Sequence, residues 1–202
     1  MWRDAKGGPA LPNYDGLSAE AALRRALTED FAGRAAVVSS FGAESAALLA
    51  LVADIAPATP VLFVETAMLF PETLAYQRDI AERLGLTDVR VVGPDAGERA
   101  AEDADGRLHR RDPDACCALR KVRPLERALA GFDAWISGRK RAQVAMRAAL
   151  APVERDGAGR VKLNPLFDWS AEQVREFIAA RGLPAHPLVA KGYPSIGCAP
   201  CT

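Results

Sequence analysis

The stretch Ala-Ala-Val-Val-Ser-Ser-Phe-Gly-Ala-Glu-Ser at residues 35–45 decides the fold class. Residues 35–39 are a short apolar run typical of a buried strand, and a helical pattern runs over 44–53. Gly42 lies in the turn between them, where free backbone N–H groups and serine hydroxyls suit a phosphate, helped by the helix dipole. The turn lacks the Gly-Lys-Ser/Thr of a Walker A loop. Taken alone, it favours a plain strand–helix turn with serine caps.

The segments on either side continue this alternation of strand and helix. Further strands are predicted at 60–64, 89–92 and 134–137, with an edge hairpin from 152–154 and 161–163. Helices are predicted at 19–29, 71–85, 114–129, 141–149 and 170–182. This alternation predicts an α/β fold, in which a parallel sheet is covered by helices on both faces and ligands bind at the carboxyl ends of the strands.

The composition indicates one soluble domain over residues 1–202, with a loose Gly/Pro-rich arm at 1–16. The chain is 50% hydrophobic, and 26 basic residues balance 26 acidic residues, so the net charge is zero. Nothing in this balance indicates nucleic-acid or membrane binding. The first residues carry no apolar run of the signal-peptide type. We therefore expect a cytoplasmic protein whose thiols stay reduced, which favours metal ligation over disulfides.

Four cysteines occur in two pairs, Cys116-Cys117 and Cys198-x-x-Cys201. Adjacent cysteines aim poorly at one small ion, but they can bind different irons of a larger cluster. Spacing alone leaves open an iron–sulfur cluster, a four-cysteine zinc site and four unrelated thiols. Lys121 follows Cys117 by one helical turn, so a shared face is predicted. Its charge could offset that of bound thiolates, or it could be an ordinary surface lysine.

Two more predicted strands end in segments that could face a ligand. The segment at 64–73 indicates only a strand, a turn and a helix start. At the other strand end, Gly138 is followed by the basic residues Arg139, Lys140 and Arg141. Guanidinium and ammonium groups there suit an anionic ligand. The alternative is a solvated basic turn.

The turn at 39–45 resembles the PP-loop of ATP pyrophosphatases, Ser-Gly-Gly-x-Asp-Ser, with two departures. Phe41 stands where that family has its first glycine, and Glu44 replaces its aspartate. We expect the bulky Phe41 side chain to crowd the space of a pyrophosphate leaving group. The loop therefore keeps a nucleotide-binding character but argues against ATP cleavage.

Six segments, in order, resemble the assimilatory adenylylsulfate (APS) reductases, the iron–sulfur branch of the PAPS/APS reductase family. They are SFGAES (40–45), LFPET (69–73), CCALRKV (116–122), SGRKR (137–141), KLNPL (162–166) and GYPSIGCAPCT (192–202). The combination of Cys-Cys with Cys-x-x-Cys is the most specific part of the match. The resemblance implies a Rossmann-like fold of the adenine nucleotide alpha-hydrolase (PP-loop) type.

The resemblance also implies a cofactor and a substrate site. A 4Fe–4S cluster would be held by Cys116, Cys117, Cys198 and Cys201. APS would lie over the 39–45 loop, with Val64 at the adenine and Lys121 acting electrostatically between cluster and phosphosulfate. The substrate-binding residues implied are Ser39, Ser40, Phe41, Gly42, Glu44, Ser45, Val64, Thr66, Lys121, Gly138, Arg139 and Arg141.

The chemistry implied by the family is nucleophilic. A cysteine thiolate attacks the sulfur of APS, AMP leaves, and thioredoxin or a similar thiol donor reduces the resulting thiosulfonate to release sulfite. All four cysteines are assigned to the cluster, so we expect the nucleophile on a tail beyond residue 202 and an inactive protein without it. A homo-oligomer is possible in this family.

Two alternatives stay open at this point: an ATP-using PP-loop enzyme, and a noncatalytic nucleotide-binding domain with a cluster or zinc. Phe41 and the cysteine pattern weigh against the first, whereas the absent nucleophile supports the second. His109 and His186, the only histidines, are expected to be surface or packing residues.

Overall fold

The computed structural model describes residues 11–141, 150–193 and 195–202. Most of the helix predicted at 141–149 and much of the arm predicted at 1–16 lie outside the described residues. Within the described part, no helix has both the length and the apolar character needed to span a bilayer.

A six-stranded sheet forms the centre of the described chain. Its strand order is β3-β2-β1-β4-β6-β5, and every neighbouring pair is parallel except β5 with β6. The antiparallel pair is the predicted edge hairpin. The strands are β1 (Ala35–Ser39), β2 (Val61–Val64), β3 (Val89–Val92), β4 (Ala134–Ser137), β5 (Val153–Arg155) and β6 (Val161–Leu163).

The predicted helices that fall within the described residues are present, with ends shifted by a few residues. The described helices are α1 (Ala19–Arg25), α2 (Ser45–Ile55), α3 (Pro71–Arg83), α4 (Ala96–Glu102), α5 (Leu108–Arg111), α6 (Pro113–Cys117), α7 (Arg123–Ala128) and α8 (Ala171–Ala180). Short π-helical turns at Ala26–Asp30 and Ala118–Val122 follow α1 and α6. The predicted capping box at the start of α8 is formed by Ser170 and Gln173.

Two short helices, α4 and α5, were not predicted. Neither contains a buried residue, so neither shows the apolar periodicity that marks a helix in a sequence. Asp95 caps α4 by accepting hydrogen bonds from the N–H groups of Gly97 and Glu98. The single helix predicted at 114–129 is divided into α6, a π-helical turn and α7.

Helices cover both faces of the sheet, as predicted. Val37 of β1 belongs to the larger core cluster with Leu49 of α2 and Ile80 of α3. Its neighbour Ala36 points to the opposite face, where the core cluster contains Leu129, next to α7. Because successive residues of a strand face opposite sides, one strand serves two cores. This double cover explains why β1 and β2 are apolar runs without alternation.

The strand order reverses direction between β1 and β4. The chain moves from β1 outward to β2 and β3, and later places β4 on the other side of β1. A crevice at the carboxyl ends of the strands is expected at such a reversal, because the loops that follow the two strands diverge there. The loops after β1, β2 and β4 all leave the sheet at this edge, because the three strands are parallel neighbours.

Candidate functional site

The β1 loop, residues 39–45, is a compact turn at the crevice. The Ser39 hydroxyl accepts a hydrogen bond from the Phe41 N–H at 3.1 Å, and the Ser45 N–H donates to the Gly42 carbonyl at 3.1 Å. Ser40 is exposed. A Cβ added at Gly42 would lie 3.1 Å from the Ile196 carbonyl oxygen, so glycine allows the C-terminal part of the chain to approach the loop closely.

Phe41 does not occupy the position that the sequence suggested. Its ring is fully buried and packs edge-on against Phe63 of β2, with ring centroids 5.2 Å apart. The ring therefore lies in the core rather than on the exposed side of the loop, and its effect on a pyrophosphate leaving group stays a prediction. Its backbone has φ of 50°, in the left-handed region that favours glycine. The residue thus combines a glycine-like turn with a large core side chain.

The β4 loop, residues 138–141, is tied to the β1 loop by an ion pair. The Lys140 ammonium lies 2.5 Å from the Glu44 carboxylate, and only 1% of its side chain is exposed. Sequence reasoning placed Lys140 in a run of basic residues but did not pair it with Glu44, because the partners lie far apart in the chain. Because Lys140 stands between two other basic residues, nothing in the sequence indicates that its side chain is buried.

The other members of the β4 loop differ in what they contact. Gly138 and Arg139 are exposed, as a ligand-facing or solvated turn would require. Arg141 is partly engaged by the protein, because its Nε donates to the Leu150 carbonyl at 3.0 Å and its guanidinium lies 4.6 Å from the Phe167 ring centroid. The solvated basic turn considered as an alternative is therefore excluded for Lys140, whereas Arg141 is exposed and only partly engaged.

The loop after β2 joins the crevice to the cysteines. Val64 and Thr66 are buried, and the Thr66 hydroxyl lies 3.2 Å from the Cys198 sulfur. The Met68 carbonyl accepts a hydrogen bond from the Ala199 N–H at 2.8 Å, and Leu69 forms an antiparallel bridge with Cys198. The second cysteine pair is thus held directly against the end of the second strand.

A cavity of about 40 Å³, which we call the cysteine cavity, brings the two cysteine pairs together. Cys116 and Cys198 are buried, Cys117 and Cys201 are exposed, and all four are free thiols. The described His, Cys, Asp and Glu side chains include no group of three arranged to hold one metal ion. The cavity is lined by Met68, His109, Pro113, Cys116, Cys117, Arg120, Lys121, Cys198 and Cys201.

Cations surround the cysteines as the sequence predicted. Lys121 and Cys117 line the same cavity. Arg120 lines it as well and is buried, with its guanidinium 2.6 Å from the Asp103 carboxylate. Burial raises the pKa of the Cys116 thiol, and the Arg120 charge opposes that rise. The Arg120–Asp103 pair was missed by sequence reasoning, since Asp103 lies in a segment without a recognisable motif.

The two histidines have different environments. His186 is fully buried, and its Nε2 lies 3.0 Å from the Thr73 hydroxyl, which agrees with the expected packing role. His109 is half-buried and lines the cysteine cavity, a position that the sequence did not indicate. Its Nδ1 is buried and has no hydrogen-bond partner among the described residues.

Comparison with known proteins identifies the family of this arrangement. The model of the phosphoadenosine phosphosulfate reductase domain matches residues 34–202, which include the β1 loop and both cysteine pairs. The chain belongs to the phosphoadenosine phosphosulfate reductase family. The resemblance seen in the six sequence segments is thereby confirmed at the level of the family.

Individual members of the family are similar over most of the chain. The adenosine 5'-phosphosulfate reductase of Mesorhizobium japonicum is 45% identical over 180 residues, covering 89% of this chain and 70% of that protein. The phosphoadenosine 5'-phosphosulfate reductase of Gloeobacter violaceus is 42% identical over 193 residues, covering 94% and 80%.

A solved member of the phosphoadenosine phosphosulfate reductase family has the same fold. The phosphoadenylyl-sulfate reductase of Candida auris, crystallised as a phosphate complex, superimposes with a TM-score of 0.77 at 27% identity. The superposition covers 91% of this chain and 89% of that one. The predicted α/β fold is confirmed by this agreement and by the sheet itself.

Proposed function

We propose that this protein is an adenylylsulfate reductase, which converts APS to sulfite and AMP where the crevice meets the cysteine cavity. One observation carries the proposal: the cysteine cavity and the loops of the crevice are in direct contact. Thr66 at the end of β2 contacts Cys198, and Gly42 of the β1 loop lies against Ile196. A nucleotide bound over the β1 loop would therefore have its far end close to the cysteines.

The cysteine arrangement fits a 4Fe–4S cluster better than a zinc ion. A structural zinc site needs four ligands around one ion, and the neighbouring residues Cys116 and Cys117 aim poorly at a single small ion. A cluster takes its cysteine ligands from around a larger volume. Cys116, Cys117, Cys198 and Cys201 line one cavity as free thiols and would hold the cluster, which would supply a fixed local charge beside the substrate.

The residues around the crevice would bind the substrate. The β1 loop offers backbone N–H groups and the exposed Ser40 hydroxyl to a phosphate. Lys121 on the cysteine cavity and Arg139 on the β4 loop would stabilise the negative charge of the phosphosulfate. The buried Phe41 can contribute only backbone groups, whereas Val64 and Thr66 would border the nucleoside.

The proposed reaction begins when a cysteine thiolate attacks the sulfur of APS. A sulfur–sulfur bond forms, the bond from sulfur to the phosphate oxygen breaks, and AMP leaves with the electron pair. A thioredoxin-type dithiol then reduces the thiosulfonate, which releases sulfite and leaves the donor as a disulfide. Because the four cysteines are assigned to the cluster, we infer that the attacking thiol is additional to them.

Metal analysis tests the cofactor first. Anaerobically purified protein should contain about four irons and four acid-labile sulfides per chain, as expected for four cysteine ligands. Cys117→Ser should lower both, whereas Ser170→Ala, which changes only the cap of α8, should leave both unchanged. One zinc per chain with no sulfide would contradict the cluster assignment.

Sulfite release tests the chemistry. A polypeptide that contains this chain, the cluster and the attacking thiol should release sulfite and AMP from APS when thioredoxin is supplied. Protein that binds AMP and carries the cluster but releases no sulfite under these conditions would be the noncatalytic nucleotide-binding domain instead.

The buried position of Phe41 gives the ATP-using alternative one supporting observation. With the ring in the core, the β1 loop presents no aromatic side chain on its exposed side. Incubation with ATP distinguishes the two functions. We expect no AMP from ATP, and steady AMP release would favour a PP-loop enzyme that cleaves it.

A further inference from the structure

A buried carboxylate lies behind the cysteine cavity. The Asp103 side chain, directly after α4, has no exposed surface, and that of Arg120 is 4% exposed. Arg120 Nη2 donates to Asp103 Oδ2 at 2.6 Å, and the Leu108 N–H donates to Oδ1 at 2.7 Å. Burial raises the pKa of the Asp103 carboxyl, but the bonds from Arg120 and Leu108 outweigh that effect and leave the pKa below its usual value. The carboxylate is thus charged and fixed in position.

A second nitrogen of the Arg120 guanidinium contacts the loop after β2, which borders the cysteines. Arg120 Nη1 donates to the Thr66 carbonyl at 2.9 Å, and the Thr66 hydroxyl contacts the Cys198 sulfur. Arg120 Nε is buried without a hydrogen-bond partner among the described residues, and Arg120 lines the cysteine cavity. A buried donor without an acceptor is energetically unfavourable. An acceptor inside the cavity would remove this cost.

We propose that Asp103 is a positioning residue for the cofactor site. By binding Nη2, it orients the guanidinium so that Nε–H is directed at sulfur held in the cysteine cavity, and it balances the arginine charge there. The inference rests on the proposed function, because the cluster supplies the sulfur. Outer residues that orient a group at a metal site change metal affinity by about 10- to 100-fold when they are mutated.

Two properties separate this role from a purely structural one. If Asp103 only holds α4 in place, its loss lowers the melting temperature and leaves the cluster unchanged once the protein is folded. If it orients and neutralises Arg120, removal of its charge leaves an extra positive charge near the cluster. The reduced cluster is then favoured, so the midpoint potential becomes more positive.

Asp103→Asn tests the proposal, with Asp105→Asn as the matched control. Asp105 is exposed and pairs with Arg111 in the same segment. On reconstituted holoprotein, we expect Asp103→Asn to release iron to a chelator about tenfold faster and to shift the midpoint potential to more positive values. The control should match the wild type in both measurements.

The outcomes also separate this inference from the proposed function. Wild-type protein without iron and sulfide would overturn this inference and the cluster assignment, whereas sulfite release tests the reductase function separately. A loaded Asp103→Asn protein with wild-type potential and iron release would overturn the positioning role alone. If Asp103→Asn does not fold, Arg120→Lys is measured instead. This variant keeps the positive charge but lacks Nε–H, so we expect faster iron release at an unchanged net charge. Wild-type iron release in Arg120→Lys would reject the proposal.

Discussion

At the scale of single residues, Phe41 meets two opposing demands. Its position in the β1 loop requires a left-handed backbone, which costs a non-glycine residue about 1–2 kcal/mol. Its ring fills the core against Phe63, which glycine could not do. Burial of the ring is worth more than the strain costs, so a glycine position in related PP-loops can hold phenylalanine here.

Substitutions at Phe41 should therefore show an inverted preference between alanine and glycine. Phe41→Ala is expected to lower the free energy of unfolding by about 3–5 kcal/mol. Phe41→Gly should cost no more than Phe41→Ala, because it also removes the strain. Chemical denaturation measures both. Leu49, in the middle of α2, is the control: Leu49→Gly should lower the free energy of unfolding by about 1 kcal/mol more than Leu49→Ala. If glycine were also more destabilising than alanine at position 41, the backbone strain inferred there would be contradicted.

The Glu44–Lys140 ion pair is expected to hold the β1 and β4 loops together. Lys140→Met should lower the free energy of unfolding by about 2–3 kcal/mol, less than a fully buried pair because Glu44 is partly exposed. It should also weaken AMP binding, measured by calorimetry, since the loops would separate. Arg139→Met, at the exposed neighbour, should change stability by less than about 0.5 kcal/mol.

A double-variant cycle isolates the pair itself. The double variant Glu44→Gln with Lys140→Met should lose less free energy of unfolding than the sum of the losses in the two single variants. The difference should be about 1 kcal/mol or more. Strict additivity would mean that each residue acts through other contacts.

At the scale of elements, α3 holds the part of the chain that carries the second cysteine pair. Lys191 donates to Glu72 at 2.7 Å, Nε2 of His186 meets Thr73, and the Tyr76 hydroxyl donates to the Pro184 carbonyl at 3.0 Å. The Leu188 N–H donates to His186 Nδ1 at 3.2 Å, so the imidazole is neutral with its proton on Nε2. Protonation would remove the acceptor that this contact needs.

Stability should consequently fall in mild acid through His186. Burial lowers the pKa of this imidazole below its usual value, while Glu72 opposes the shift and Tyr76 packs on the ring. The unfolded chain therefore binds a proton more readily, so the contribution of His186 is complete above about pH 6.5 and is lost as the pH falls towards the lowered pKa. Denaturant titrations at pH 7.5 and 5.5 should show that His186→Gln loses less stability on acidification than the wild type does.

The comparison variant for this measurement is Thr73→Val, which removes the Nε2 partner but keeps the imidazole. It should lower stability at both pH values and retain the acid sensitivity. If the wild type and His186→Gln lost equal stability on acidification, groups other than His186 would control the acid sensitivity.

The elements that the sequence predicts well are those that bury apolar faces. β1, β3 and β4 were placed at their observed bounds because short apolar runs between turn residues leave few other interpretations. The helices α4 and α5 face solvent and depend on caps and surface ion pairs, such as that of Arg123 with Glu102, so no periodicity marks them. The π-helical turn after Cys117 depends on tertiary packing rather than on local preference.

At the scale of the whole molecule, the parallel sheet decides which residues can meet. It places the ends of β1, β2 and β4 side by side. The meeting of the two cysteine pairs in one cavity was predicted by the resemblance to the APS reductases, not by cysteine spacing alone. The partners Asp103 with Arg120 and Glu44 with Lys140 were not predictable, since charge pairs distant in sequence carry no spacing rule. The strand order of the sheet, rather than any motif, determines which of these distant residues become partners.

The bridge between Leu69 and Cys198 has a consequence for the order of events during synthesis on the ribosome. The first cysteine pair emerges before β4, whereas the second pair emerges after every strand of the sheet has been made. The second pair finds its place only against a loop that the assembled sheet has already positioned. Insertion of the proposed cluster should therefore be a late maturation step, and nascent chains stalled before residue 198 should be unable to retain iron.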